Sequence, residues 1–151
     1  MATSHDDVPG AAGEPSVTAL DDAVRRVGDR WTLRLVDALL PGPQRFGELL
    51  AQVDGLAPNI LSRRLKALEA DGIVTAMPYS DRPQRVVYAL TASGSELAGV
   101  LRLLAQWGST HGRHDPAVHH TRCGSALEAR WWCPTCATTV DDADAPELDW
   151  V

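Results

Sequence analysis

Apolar residues recur every three or four positions along most of this chain, and one stretch sorts its faces most cleanly. At about 100° per residue, Leu61, Leu65 and Leu68 fall on one arc of the run from Ala57 to Asp71, while Asn59, Ser62, Arg63 and Lys66 fall on the opposite one. That pattern predicts an amphipathic helix with leucines behind and cations in front. Pro58 suits its first turn and Asp71-Gly72 its end. Upstream, Leu20, Val24 and Val27 predict a helix with Ser16 or Thr18 as cap and Gly28 as break. A second helix begins at Asp29, carries Trp31, Leu35, Val36, Leu39 and Leu40, and stops at Pro41-Gly42-Pro43. A third covers Arg45 to Gln52, buries Phe46, Leu49 and Leu50, and turns through Asp54-Gly55 into the Ala57–Asp71 helix.

After Gly72 the period shortens towards two, which predicts strands over Ile73–Tyr79 and Arg85–Leu90 joined by Ser80-Asp81-Arg82-Pro83-Gln84. Thr91-Ala92-Ser93-Gly94 then leads into a long helix from about Ser95 to Gly112. Its stripe of Leu97, Val100, Leu101, Leu104, Trp107 and His111, with Leu103 beside it, is wider than one small domain needs, so part of it is expected to pair with a second copy of the chain. Two short helices across a tight turn, the second cationic, followed by a hairpin with a basic tip, make a winged helix-turn-helix. The fold class is therefore α+β, mainly α.

Charge changes the picture once it is divided along the chain. The 151 residues carry a net charge of −6, which seen whole argues against a nucleic-acid partner. Residues 1–15 hold −3, residues 114–151 hold −5, and residues 16–113 hold +2. The middle concentrates its positive charge at Arg63, Arg64, Lys66, Arg82 and Arg85, and local density decides whether phosphate is attracted. Asn59, Ser62, Arg63 and Lys66 are thus candidates for the major groove of double-stranded DNA. Arg64, Arg82 and Arg85 are candidates for phosphates or the groove beside the wing. Residues 1–15 are expected to be a disordered arm, 16–113 the DNA-binding and dimerisation domain, and 141–151 an acidic tail. No apolar run reaches the roughly 18 to 20 residues that span a bilayer, and the N-terminus has neither a basic start nor an apolar segment. A cytoplasmic, nucleoid-associated protein without a membrane partner is expected. No nucleophile–base pair or phosphate-cradling glycine loop is present to suggest an enzyme.

All three cysteines lie near the C-terminus, in His120-x2-Cys123-x9-Cys133-x2-Cys136. Two ligand pairs, each two residues apart, suit one structural, tetrahedral Zn²⁺ per chain, with the run from Ala126 to Trp132 closing a hairpin between them. Trp131 and Trp132 would flank that hairpin, one of them against the main domain. Residues 114–140 then form a small zinc ribbon whose stability comes from the metal. His119 is an alternative to His120 by spacing. A different reading takes Trp132-Cys133-Pro134-Thr135-Cys136 as the site of a thiol–disulfide oxidoreductase. Such a site needs its first cysteine at a helix N-terminus in a βαβ fold, and the fifteen residues after Cys136 cannot supply one. A third reading is an interaction adaptor that has lost DNA binding.

Gly28-Asp29-Arg30-Trp31, Arg45-Phe46-Gly47-Glu48-Leu49, Leu61-Ser62-Arg63-Arg64-Leu65, Pro83, Tyr88-Ala89-Leu90-Thr91 and Trp107-Gly108 stand in an order that resembles the HxlR family of bacterial winged-helix transcription regulators, relatives of the MarR type. The likeness runs from about Val27 to Gly108. It implies a homodimer held by the first and last helices, here through Leu20, Val24, Leu101, Leu104 and Trp107. It also implies a recognition helix in each subunit, repression or activation of nearby promoters, and an inducing signal or small-molecule effector that the sequence does not identify. Some members sense oxidants through a cysteine at the start of the first helix, but Val17 to Asp29 contains none. Part of the family carries a similar ribbon beginning His-x-x-Cys-Gly, which Cys123-Gly124 matches. Ala137 departs from the glycine that often closes the second loop.

Overall fold

A computed structural model describes residues 18–81, 84–113 and 118–140. The expected N-terminal arm, Ser16, Arg82 and the acidic tail lie outside the described residues. The chain begins with helix α1, Ala19–Val27. Thr18 caps it reciprocally, its hydroxyl accepting from the Asp21 N–H at 3.1 Å and its own N–H donating to the Asp21 carboxylate at 3.0 Å. Helix α2, Arg30–Leu39, follows almost at once and buries Thr32, Leu35, Val36 and Leu39.

The short strand β1, Gln44–Arg45, was not foreseen; it runs directly into helix α3, Phe46–Gln52. Helix α4 covers Pro58–Ala70, with Pro58 in its first turn and Leu61, Leu65 and Leu68 buried. It ends in a two-bond cap: the Gly72 N–H returns to the Glu69 carbonyl at 3.1 Å and the Ile73 N–H to that of Leu68 at 2.9 Å. Gly72 reaches this geometry at φ +68°, a conformation that costs a side chain about 1 kcal/mol.

Strands β2, Val74–Asp81, and β3, Gln84–Leu90, form the hairpin. Their pairing extends to Asp81 opposite Gln84, beyond the expected strand ends, with an irregularity between Pro78 and Ser80. β1 adds to the other edge of β3, giving the antiparallel order β1-β3-β2. Helix α5 spans Ala92–His111 and so starts earlier than expected, because Thr91 acts as its cap. The core gathers Leu35, Val36 and Leu39 of α2, Leu49 of α3, the three leucines of α4, and Val53, Leu56, Ile73 and Val74.

Three expectations are corrected here. Leu101 was assigned to the pairing face, but it packs, with Leu97, against the core. A wide apolar stripe does not reveal which edge faces inward. The ribbon hairpin also lies elsewhere: β4, Trp131–Cys133, pairs with β5, Thr138–Val140, across the second cysteine pair and not between the two pairs. Trp131 and Trp132 are 58% and 59% exposed, so neither packs into the main domain as expected. No helix among the described residues is long and apolar enough to cross a membrane.

Candidate nucleic-acid interface

The side of α4 opposite its buried leucines is where the cations stand. Asn59, Arg63 and Lys66 are exposed and Ser62 is half-buried. Asn59 uses its side-chain oxygen to accept from the Ile60 N–H at 2.9 Å, leaving its amide NH₂ free to donate outward. Among the described residues neither Arg63 nor Lys66 is ion-paired. Their charge is therefore not cancelled before a phosphate or base edge arrives.

Arg64 is placed differently from its neighbours. Its guanidinium turns back onto Asp29, with Nη1 3.2 Å from the carboxylate, and the two side chains are only 31% and 29% exposed. Asp29 is also the cap of α2: one oxygen accepts from the Trp31 and Thr32 N–H groups at 3.0 and 3.2 Å, and the other from the Thr32 hydroxyl. Burial alone would raise the Asp29 pKa. The Thr32 and Trp31 hydrogen bonds, with the Arg64 charge, outweigh it and hold the carboxyl below its ordinary value. The sequence reading offered Arg64 to phosphate; the structure occupies it within the protein.

On the wing, Arg85 is exposed and pairs in register with Ser80. Arg45, not singled out from the sequence, sits with its guanidinium 4.7 Å from the Tyr79 ring centroid, so β1 adds a cation beside the hairpin. In the sequence it marks only the start of a helix and of the Arg45-Phe46-Gly47-Glu48-Leu49 motif, neither of which points to a cation beside the wing. On the remaining surface, Leu20 and Val24 of α1 and Val100, Leu103, Leu104 and Trp107 of α5 are exposed, with Trp107 65% open. The α5 residues repeat at the spacing of one helix face.

The C-terminal segment forms two separate turns. His120 accepts at its carbonyl from the Cys123 and Gly124 N–H groups at 3.2 and 2.7 Å, and its Nδ1 lies 3.2 Å from the Cys123 sulfur. His119, in contrast, bridges to Ala126. Hydrogen bonds from Ser125, side chain first, lower the Cys123 thiol pKa; those from the Cys136 backbone and side chain, and from the Thr135 backbone, lower that of Cys133. Such donors favour thiolates and so suit a metal. Gly124 at φ +72° and Ala137 at φ +53° occupy the same position of the two turns, immediately after Cys123 and Cys136. Each pair fits half a zinc site, yet among the described residues no three His, Cys, Asp or Glu side chains converge on one point. Cys133 lies in a strand, not at a helix N-terminus, which removes the geometry an oxidoreductase would need.

The profile of the HxlR-like helix-turn-helix family matches residues 26–116. The chain belongs to that family. An HTH-type transcriptional regulator of Mycobacterium tuberculosis is 34% identical over 123 residues, covering 78% of this chain and 77% of its own length. A MarR-family regulator of Enterococcus faecalis superposes with a TM-score of 0.56 at 32% identity, covering 68% of this chain and 93% of the other. The redox regulator HypR in its reduced form gives a TM-score of 0.58 at 28% identity, over 62% of this chain and 92% of that one. As an HxlR-type protein the chain is a DNA-binding transcriptional regulator and not an enzyme.

Proposed function

We propose that this HxlR-type regulator acts as a homodimer that reads a specific operator by placing one α4 helix of each subunit in successive turns of the major groove, about 34–36 Å apart. The reading is carried by the unpaired cationic face of α4, held outward by three buried leucines. Asn59, Ser62, Arg63 and Lys66 address base edges, while Arg82 and Arg85 lie along the backbone beside the wing. The α1 and α5 surface around Leu20, Val24, Leu104 and Trp107 pairs the subunits; burying it in a second copy removes it from water. His120, Cys123, Cys133 and Cys136 hold one structural Zn²⁺, which draws the two turns together and braces the ribbon. The His120–Cys123 proximity favours His120 over His119.

Selection of duplexes from random DNA tests this reading. The protein should enrich a two-fold symmetric sequence, and Arg63→Ala should cost about 1–3 kcal/mol on that sequence while relaxing preference at one base position. Equal losses on selected and random duplexes would take Arg63 out of the readout.

A further inference from the structure

Arg64 and Asp29 form the one ion pair among the described residues that joins two different helices of the main domain. Asp29 stands at the junction of α1 and α2, directly after Gly28 ends the first and as the cap that starts the second. Arg64 lies on α4 between exposed Arg63 and buried Leu65, at the edge where the outward arc meets the core. Its Nε is buried and lacks a hydrogen-bond partner, although buried donors are nearly always paired. The inner edge of the guanidinium is thus held against the protein, with Nη1 anchored on Asp29, although the side chain as a whole is still 31% exposed. Leucine packing fixes which side of α4 faces the core, but apolar contacts are non-directional and tolerate rotation about the helix axis. A directional ion pair at the edge of the buried arc does not.

We propose that Arg64 and Asp29 are positioning residues for base recognition: their ion pair sets the rotation and tilt of α4 and ties the recognition helix to the end of α1. The inference rests on the reading of α4 as the groove helix. It identifies Asp29, an acid with no direct role at the DNA, as a determinant of specificity, and it gives α1 a mechanical connection to the reading head.

The test uses the full chain and two probes of equal length: a duplex recovered by the wild-type protein from a random library, and a random-sequence duplex. Asn caps a helix about as well as Asp, so Asp29→Asn removes the charge and keeps the cap; thermal unfolding followed by circular dichroism checks that it does. Simple electrostatics predicts that losing an acid strengthens binding to both probes. Positioning predicts that the selected-to-random affinity ratio falls about tenfold while affinity for random DNA is unchanged or higher. Arg64→Gln should lower the ratio similarly with the same salt dependence as wild type, and the double variant should add little to either single one. An unchanged ratio in Asp29→Asn overturns the proposal. So does Arg64→Gln if it weakens both probes equally and reduces the salt slope by about one, the mark of a phosphate contact. Arg63→Ala is the control: if it too leaves the ratio intact, the groove reading itself fails. If Arg63→Ala loses the ratio and Asp29→Asn does not, only the positioning fails.

Discussion

Gly94→Ala should destabilise this protein although it replaces glycine inside a helix, where alanine is normally favoured by about 0.5–1 kcal/mol. Gly94 is buried in the first turn of α5, and a methyl group there would meet the carbonyl of Ile73. The added Cβ would lie 3.1 Å from the Ile73 carbonyl carbon and 3.2 Å from its Cγ2, with the carbonyl oxygen closer than any real Cβ approaches. That carbonyl already accepts from the Thr91 N–H at 3.0 Å, and the Thr91 hydroxyl donates to the Gly72 carbonyl at 2.6 Å. The helix start is therefore docked on the same backbone that the methyl must displace. Overpacking of this kind costs about 1–3 kcal/mol, and losing one of the Thr91 bonds adds about 1 kcal/mol. Subtracting the helix-propensity gain leaves a net loss of about 2 kcal/mol. Gly99→Ala is the matched control on the same helix: its Cβ meets nothing within 4 Å, so it should stabilise by about 0.5–1 kcal/mol. Urea unfolding at fixed protein concentration reads both. If Gly94→Ala unfolds at the wild-type midpoint or later, the close docking of α5 is wrong.

Leu104→Glu should raise the dimer dissociation constant about a hundredfold or more, because a charge would be carried into an apolar interface; sedimentation velocity across concentrations reads the shift. Asp29 has a lowered pKa, so its contribution to stability is fully present above the unfolded carboxylate value of about 3.9 and is lost as pH falls through the lower folded value. Melting temperatures between about pH 5 and pH 2 should accordingly fall less steeply in Asp29→Asn than in wild type. Ala137 holds φ +53°, so Ala137→Gly should relieve about 0.5–1 kcal/mol and tighten zinc binding about two- to fivefold in competition with a chromophoric chelator, whereas Cys133→Ser should abolish stoichiometric zinc.

The helices were legible because each carries its apolar residues at its own period, towards the core in α2 to α5 and at exposed Leu20 and Val24 in α1, and the leucines of α4 alone oriented the Asn59–Lys66 arc. What escaped the sequence depends on partners far along the chain. β1 has two residues and no periodicity; it exists because Gln44 and Arg45 find Tyr88 and Val87 on β3. α5 starts earlier than its sequence suggests because Thr91-Ala92-Ser93-Gly94 reads as a turn until the Gly72 and Ile73 carbonyls are placed beside Thr91. In the C-terminal segment the spacing of His120, Cys123, Cys133 and Cys136 did not reveal the strands, since the hairpin closes through Ala137 in a left-handed conformation that composition disfavours. Arg64 shows the limit most clearly. A helical wheel puts it between groove and core and supplies a charge, and charge on a cationic helix suggests phosphate. Only the position of Asp29, far along the chain but beside it in space, decides that the charge turns to the α1–α2 junction, and the same neighbour converts an apparent contact residue into a part that aims the others.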